Sequence, residues 1–348
     1  MTLCALIFSV LRSCFSLFSF SSLLLQKNNI HLQKTVSAGF QNETKRVWNL
    51  EGEDQISFLA IGDWGSQPVP DGHHQLEVAG AMARWCELHP CHFILSTGDN
   101  IYDDGVTSAA DPQFETTWRA VYSAPSLASL AWLLTVGNHD HHTAGGAWLQ
   151  VQHGRTEPRW TMPGLADSLE VAAANTSLKL VSLDTVSIHE DKNCAGCMLE
   201  LLRAELEAAA AGAWRVVFGH YPLHSGGGYG GYDTIRQGVG PLLEQGGADF
   251  YLSGHDHNQQ HWVARDTRGT RGTEHVTAGA GGKDAYGPEA DHVLENEELG
   301  MRMEHFQEGN GFVYFTVREE EVRLQFVNTY DMVVYQSVRQ KMRANWEK

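Results

Sequence analysis

Six short apolar runs recur along the chain, and five of them lead through a glycine into an aspartate, an asparagine or a histidine. Each run has the length and the β-branched or aromatic content of a buried strand. This repetition predicts a sheet whose strands end in polar loops, so it constrains both the fold and the place where chemistry can occur. The six runs are residues 56–65, 92–100, 131–140, 178–185, 214–222 and 249–257.

Helical patterns lie between these runs. Residues 74–88 carry apolar side chains at helical spacing, and residues 198–212, rich in Leu, Ala and Glu, are expected to end at a glycine cap, Gly212. Residues 235–247 are a shorter, interrupted candidate. Alternating strands and helices are typical of an α/β fold, whereas the alternating residues 311–339 predict an antiparallel meander. We therefore predict an α/β fold in which two mixed β-sheets pack as a sandwich flanked by helices.

The formal net charge of −17 restricts the partners of the chain. An acidic protein is poorly suited to a polyphosphate backbone or to an anionic membrane surface, so we expect no nucleic-acid partner. A small phosphate ligand is still compatible with this charge, because a bound metal ion can be the largest local charge in a site.

The N-terminal segment has the composition of a targeting sequence. Residues 1–25 are apolar apart from Arg12 and several serines, which predicts a signal peptide or an uncleaved membrane anchor. A mitochondrial leader would carry more arginine. We treat residues 26–45 as a linker and residues 46–340 as the folded domain, and we expect membrane association only if the N-terminal segment stays uncleaved.

Two glycosylation triplets agree with a secretory route. They begin at Asn42 and Asn175. Such triplets also arise by chance, so each adds little by itself. Together with the N-terminal segment they predict a secreted or lumenal protein, with the lysosome or vacuole as possible destinations.

The cysteines outside the N-terminal segment form two close pairs. Cys86 and Cys91 flank a short turn, and Cys194 and Cys197 form a C-x-x-C motif. In a secreted chain such pairs indicate two local disulfides. A redox motif and a structural zinc site are alternatives for C-x-x-C, but neither the expected setting nor further zinc ligands accompany it.

Side chains that can bind a metal follow five of the apolar runs. In α/β sheets, ligands bind beyond the carboxyl ends of the strands, where loops converge. Taken singly, an aspartate after a glycine is typical of a turn or helix cap, and a histidine after a strand is more often a hydrogen-bonded loop residue than a ligand. The agreement of five strand ends favours a metal site. The candidate donors are Asp63, Asp99, Tyr102, Asn138, His220, His255 and His257.

The number and chemistry of these seven donors indicate more than one metal ion. They are too many for one transition metal but suit two metals that share a bridging carboxylate. Carboxylate and phenolate oxygens prefer trivalent iron, whereas imidazole and amide groups suit divalent iron, zinc or manganese.

Five sequence blocks, GDWG, GDNIYDDG, GNHD, GHYP and GHDH, resemble the signature of the purple acid phosphatases within the metallophosphoesterase superfamily. The chain is most similar to the small, tartrate-resistant type, and the resemblance spans about residues 55–335. It implies the metallophosphoesterase fold. Many relatives outside the purple members have a histidine ligand at the position of Gly65, whereas Tyr102 stands where the purple members have their tyrosine ligand.

The resemblance implies a specific division of the donors between two ions per subunit. Asp99 would bridge Fe(III) and a divalent ion of iron, zinc or manganese. Asp103 and Asp104, in the same loop, would cap or solvate it. The Fe(III) site would comprise Asp63, Tyr102 and His257, and the divalent site Asn138, His220 and His255.

The resemblance also implies residues that act on the substrate. His139 would lie near the phosphate and the leaving-group oxygen, with Asp140 orienting its imidazole. The small family members carry a further histidine nine residues after the position of His220, where this chain has Tyr229. His224 is therefore the alternative candidate for the second acid. The glycines of the intervening segment predict a mobile loop over the site.

The implied activity is that of an acid phosphatase that hydrolyses phosphate monoesters with a hydroxide nucleophile activated by two metals. The substrates would be small phosphorylated compounds, including phosphoproteins or nucleotides, and the protein is expected to be a monomer. A phosphodiesterase or nucleotide-directed enzyme remains an alternative. So does an inactive binding protein on the same scaffold, although every ligand position is filled.

Overall fold

The computed structural model describes residues 46–66, 73–264 and 272–341. The strands are β1 (Val47–Asn49), β2 (Ile56–Ile61), β3 (Phe93–Ser96), β4 (Ala131–Leu134), β5 (Trp160–Thr161), β6 (Ala166–Ala172), β7 (Ser177–Leu183), β8 (Trp214–Phe218), β9 (Phe250–Ser253), β10 (Gln259–Ala264), β11 (Glu274–Ala278), β12 (Met301–Gln307), β13 (Gly311–Val317), β14 (Glu321–Asn328) and β15 (Val333–Gln340). The helices are α1 (His73–Leu88), α2 (Asn138–His142), α3 (Gly146–His153), α4 (Thr185–His189), α5 (Ala195–Glu207), α6 (Asp233–Gly238), α7 (Gly240–Gln245) and α8 (Ala290–Glu298), and Phe114–Arg119 form a π-helical turn.

The described strands form two mixed sheets. The eight-stranded sheet has the order β1-β6-β7-β8-β9-β11-β10-β12, and the seven-stranded sheet has the order β15-β14-β13-β2-β3-β4-β5. Strands β2 to β5 are parallel to one another, and so are β7, β8, β9 and β11. Antiparallel strands extend both sheets. The predicted α/β fold with two mixed sheets is confirmed, and each of the six predicted runs contains a strand.

Aromatic side chains fill the space between the sheets. Phe58 of β2 stacks on Phe93 at 4.9 Å and on Phe315 at 4.7 Å between ring centroids. Phe250 of the eight-stranded sheet meets Phe315 edge-on at 5.8 Å. These contacts bury large apolar surfaces from both sheets, which holds the sheets face to face and fixes the edge where their strands end.

The helices pack on the outer faces of the sheets. Helix α5 buries Met198, Leu202 and Leu206 and lies against β6 and β7. Its predicted end at Gly212 is wrong, because the helix ends at Glu207. The intervening residues form the turn that reverses the chain into β8, and Gly212 adopts a positive φ of 81° there. The interrupted pattern at 235–247 becomes the two short helices α6 and α7.

The C-terminal part of the domain is the predicted meander. β13 pairs antiparallel with β14, and β14 pairs antiparallel with β15. β13 also pairs antiparallel with β2. The meander therefore extends the seven-stranded sheet away from the parallel strands.

Both cysteine pairs are joined as disulfides, Cys86 with Cys91 and Cys194 with Cys197. Asn175 is exposed at the turn between β6 and β7, where a glycan could attach. The predicted N-terminal segment and Asn42 lie outside the described residues. Within the described ranges, every helix is too short or too polar to cross a membrane.

Arg339 connects the edge strand β15 to the eight-stranded sheet. Its guanidinium donates to Asp249 at 3.2 Å and to Glu274 at 3.1 Å. The other oxygen of Glu274 lies 3.1 Å from His261 Nε2. Burial alone would raise the pKa of Glu274, but the hydrogen bond and charge of His261, with the charge of Arg339, hold this pKa below its ordinary value. Ionised Glu274 therefore stabilises the folded state.

Replacing Glu274 by glutamine is expected to lower the free energy of unfolding at pH 7 by about 2 kcal/mol, because hydrogen bonds to a charged partner are lost. A depressed carboxyl pKa contributes stability above the ordinary glutamate value of 4.5 and loses it as the pH falls through the folded-state pKa. The difference between wild type and Glu274→Gln in urea denaturation should therefore shrink below pH 4.5. The exposed Glu244→Gln is the control, and an equal Glu274→Gln difference at pH 7 and at low pH would contradict the expectation.

Candidate metal centre

The carboxyl ends of strands from both sheets meet at one edge. Asp63, Asp99 and Asn138 follow β2, β3 and β4 of the seven-stranded sheet, while His220 and His255 follow β8 and β9 of the eight-stranded sheet. The His220 imidazole joins the two sets, because its Nδ1 lies 3.0 Å from the carbonyl oxygen of the residue before Gly98. The edge is therefore a crevice of the kind in which α/β sheets bind ligands.

Three side chains form the compact centre of this crevice. Ligand atoms of Asp63, Asp99 and His220 all lie within 4.8 Å of one another, and all three residues are buried. His220 Nε2 is 3.5 Å from Asp99 Oδ2. Two buried carboxylates beside an imidazole can hold a metal ion.

The backbone at these donors is strained. Asp63, Asp99 and His255 adopt positive φ angles of 59°, 52° and 70°. Residues other than glycine rarely adopt this left-handed backbone conformation, and such strain clusters at functional sites. The fold holds these three residues in conformations that local sequence preference alone would not select.

Tyr102 and His257 lie on one side of Asp63. The Tyr102 hydroxyl donates to Asp63 Oδ1 at 3.0 Å, and its oxygen is 3.4 Å from His257 Nε2. His257 Nε2 is 3.7 Å from the same Asp63 oxygen. The three side chains thus direct an oxygen, an oxygen and a nitrogen to one point.

Asn138 and His255 lie on the His220 side. Asn138 Oδ1 is 3.0 Å from His220 Nε2, and the rings of His220 and His255 are 5.1 Å apart. The backbone N–H of His255 donates to Asp63 Oδ2 at 2.9 Å, which links this set to the first. Asp99 lies close to both sets, because its carboxylate is within 4.8 Å of ligand atoms of Asp63 and of His220.

The chemistry of the donor set fits cations. Burial and the charge of Asp99 raise the pKa of Asp63 well above its ordinary value. Burial, with the charges of Asp63 and Asp99, likewise raises the pKa of Tyr102. Buried acids in contact are stable in their ionised forms only beside positive charge. The oxygen and nitrogen donors also match the preferences of iron and zinc.

Close packing explains two of the glycines that precede the donors. A Cβ on Gly137 would lie 2.1 Å from Asp99 Oδ1. A Cβ on Gly254 would lie 2.5 Å from Asp63 Oδ2. Both distances are far below van der Waals contact, so these positions admit only glycine if the carboxylates keep their places.

His139 and Asp140 have different functions in the structure. His139 Nδ1 donates to the carbonyl oxygen of Asp103 at 2.6 Å, and His139 Nε2 is 4.0 Å from Asp99 Oδ2. Asp140 is buried and accepts hydrogen bonds from the backbone N–H groups of Gly137 at 2.8 Å and of Asn100 at 3.1 Å. The predicted role of Asp140 is therefore corrected: its carboxylate positions backbone, and the Asp103 carbonyl orients the imidazole.

The structure brings Tyr229, and not His224, to the donors. The Tyr229 ring lies 4.4 Å from the ring of His255 and is 58% exposed. His224 Nδ1 is 2.8 Å from Asn296 Oδ1, and its ring meets His275 edge-on at 4.7 Å. The predicted role of His224 as a substrate-side acid is thus not supported, because α8 and β11 hold its imidazole.

Asp256 has a structural role that the sequence did not predict. It lies between two predicted ligands in the GHDH block and is fully buried. Its carboxylate accepts from the backbone N–H of Tyr229 at 3.0 Å, from the Tyr286 hydroxyl at 2.8 Å and from the Ser225 hydroxyl. The glycine-rich segment that we predicted to be mobile is therefore anchored at several points. The signal in the sequence that could have indicated this role is an acidic residue between two predicted metal ligands.

The chain matches known proteins over most of its length. The calcineurin-like phosphoesterase family profile matches residues 56–259. Tartrate-resistant acid phosphatase type 5 of Oryctolagus cuniculus is 30% identical over 299 residues, which cover 80% of this chain and 89% of that protein. Purple acid phosphatase 3 of Arabidopsis thaliana is 31% identical over 295 residues, covering 80% of this chain and 76% of that protein.

Solved structures share the fold. One, described as GAP50, the anchor in the inner membrane complex of Plasmodium, superposes with a TM-score of 0.70 at 22% identity and covers 84% of this chain and 91% of its own. The purple acid phosphatase PPD1 of Lupinus luteus gives a TM-score of 0.60 at 14% identity, covering 82% and 54%. The family profile and the acid phosphatase relatives confirm the resemblance: the chain belongs to the calcineurin-like phosphoesterase family, among the relatives of the tartrate-resistant and purple acid phosphatases, and is a metal-dependent hydrolase of phosphate esters.

Proposed function

We propose that the protein is an acid phosphatase that hydrolyses phosphate monoesters with two metal ions. Asp63, Tyr102 and His257 would hold Fe(III), and Asp99 would bridge it to a divalent iron, zinc or manganese ion. The observation that carries the proposal is the contact of the Tyr102 hydroxyl with both Asp63 and His257. A phenolate in such a set favours trivalent iron. Asn138, His220 and His255 would complete the divalent site.

When bound, the metal pair would supply the positive charge that neutralises the phosphate and makes hydroxide available at mildly acidic pH. The chain itself holds the donors at the ends of strands, and hydrogen bonds to the backbone link these strand ends across the two sheets. The hydrogen bond of His220 Nδ1 to a backbone carbonyl leaves its Nε2 directed at Asn138 and Asp99. Such an outer partner fixes the tautomer and the ring orientation of a ligand.

His139 would act on the leaving group. Its Nδ1 proton is engaged by the Asp103 carbonyl, so Nε2 carries a proton only when the ring is an imidazolium. In that form it can stabilise the developing negative charge and protonate the leaving oxygen, which typically contributes about a hundredfold. Tyr229 would offer a neutral hydroxyl to the substrate, because a phenol donates a hydrogen bond without bringing positive charge.

The substrates would be small phosphomonoesters, including those of nucleotides or phosphoproteins. The catalytic domain would comprise residues 46–340, reach the secretory pathway through residues 1–25, and act as a secreted or lumenal monomer glycosylated at Asn42 and Asn175. The exposed position of Asn175 supports the last point. The formal net charge of −17 supports the absence of a nucleic-acid partner.

Replacing Tyr102 by phenylalanine tests the iron assignment. The wild-type protein purified with its metals should show a broad visible absorption band, and Tyr102→Phe should lose that band, because the band requires a phenolate bound to Fe(III). Visible spectra with metal analysis on both proteins measure the effect. Tyr229→Phe, which removes another phenol of the same crevice, should retain the band.

Metal analysis and an aryl phosphate assay distinguish the remaining outcomes. A colourless wild-type enzyme that is active with zinc alone would keep the phosphatase activity and remove the iron site. A wild-type protein that binds no metal and hydrolyses no phosphate ester would contradict the proposed function and indicate a binding protein on this scaffold.

A further inference from the structure

Two of the three candidate histidine ligands direct Nε2 into the crevice, and the third cannot. His220 Nε2 lies beside Asn138, and His257 Nε2 lies beside Tyr102. His255 Nε2 is instead 2.8 Å from the hydroxyl oxygen of Tyr232. A ring nitrogen engaged in a hydrogen bond does not bind a metal at the same time, so only Nδ1 of His255 remains for the ion.

We propose that Tyr232 is a positioning residue that holds His255 with Nδ1 directed at the divalent site. His255 Nε2–H would donate to the Tyr232 hydroxyl oxygen, which fixes the tautomer in which Nδ1 carries the lone pair. This inference rests on the two-metal function proposed above. In most metal-binding histidines the other ring nitrogen donates to a carboxylate, a backbone carbonyl or a water. In this chain the phenol of Tyr232 would accept that hydrogen bond instead.

The Tyr232 ring is itself held in place by aromatic contacts. It stacks on Tyr221 with the centroids 4.1 Å apart and the planes 4° apart. The imidazole of His189 meets it edge-on at 5.1 Å, and His189 Nδ1 is 2.6 Å from the Thr234 hydroxyl. Stacked and edge-on aromatic pairs stabilise a ring orientation beyond the effect of burial alone. The hydroxyl is thus presented to His255 by a ring that has little freedom to rotate.

The backbone that carries Tyr232 is also fixed. Its N–H donates to the Pro222 carbonyl at 3.0 Å, and its own carbonyl accepts from Arg236 at 2.8 Å in the first turn of α6. The preceding Gly231 packs so closely that a Cβ there would lie 2.2 Å from the Leu223 carbonyl oxygen. The segment between His220 and α6 is therefore folded back on itself. Because the chain reverses direction there, Tyr232 reaches the ring of His255, which follows a different strand.

Replacing Tyr232 by phenylalanine removes the hydroxyl and keeps the ring. The protein is loaded with Fe(III) alone and titrated with Zn(II) by calorimetry. We expect zinc to bind about 10- to 100-fold more weakly to Tyr232→Phe than to wild type. The metal-free variant should remain folded with a lower melting temperature, because a buried hydrogen bond is lost. The Tyr102 absorption band should stay unchanged, because it does not depend on the orientation of His255.

Tyr314→Phe is the matched control, since it removes the hydroxyl of another largely buried tyrosine, which donates to the Pro90 carbonyl at 2.7 Å and makes no contact with His255. It should bind zinc as wild type does. Unchanged zinc affinity in Tyr232→Phe, or an equal loss in both variants, would overturn the positioning role while leaving the two-metal function intact. A wild-type protein that takes up iron but no second ion would overturn the two-metal function and this inference together.

Discussion

Replacing Asp99 by asparagine is expected to lower kcat/KM for an aryl phosphate by about a thousandfold or more. The bridging charge is lost, and metal-derived stabilisation of the transition state amounts to several kcal/mol, each 1.4 kcal/mol being worth about tenfold in rate. Asparagine tolerates the left-handed conformation of this position, where φ is 52°. It also keeps a side-chain oxygen for the backbone N–H of His139, which donates to Asp99 Oδ1 at 2.9 Å. The loss of activity would therefore result from the missing negative charge of the Asp99 carboxylate.

The same variant should change stability in the opposite direction. Without metals, Asp63 and Asp99 repel each other across less than 4.8 Å in a buried site. Removing one charge should raise the free energy of unfolding of the metal-free protein by about 1–2 kcal/mol. Urea denaturation after chelation measures this difference. Asp104→Asn, at a side chain that is 81% exposed, is the control for both assays. Full activity in Asp99→Asn would count against the site itself.

Replacing Asp140 by alanine should destabilise the protein by about 4 kcal/mol. Its carboxylate accepts from the backbone N–H groups of Gly137, Asn100 and Ile101, and from the Gln150 amide. Each buried donor left without a partner costs about 1–3 kcal/mol. Chemical denaturation measures the loss.

Activity should fall with stability in this variant, because Asp140 ties the loop of Asp99 to the loop of Asn138. A displacement of about 1 Å between reacting groups can reduce the rate a hundredfold. We expect a loss of that order in kcat/KM at a temperature where Asp140→Ala remains folded. Asp111→Ala is the matched control: Asp111 is also buried and caps backbone N–H groups, of Thr107 and Gln113, in a segment that contains none of the donors. It should lose stability and keep activity, and equal kcat/KM in both variants would exclude a positioning role for Asp140.

Several strands of the described fold escaped prediction from the sequence. β5 has only two residues, and β12, with the sequence MRMEHFQ, is half-buried along most of its length. Neither contains an apolar run, because β5 is too short and β12 is a sheet edge that faces solvent on one side. Their strand conformation depends on hydrogen bonds to β4 and to β10, which come from other parts of the chain. Patterns of neighbouring residues do not encode such partners.

The sequence by itself determined the alternation of strands and helices, the glycine before each polar strand end, and the set of oxygen and nitrogen donors. These features are local, since period and residue type specify them within a few positions. The tertiary structure alone decided that Asp140 caps backbone 40 residues away, that Tyr229 and not His224 reaches the donors, and that Tyr232 contacts His255. The physical reason is that a buried polar group takes its partner from whatever the packed elements bring near it, and that choice is made only when distant segments fold together.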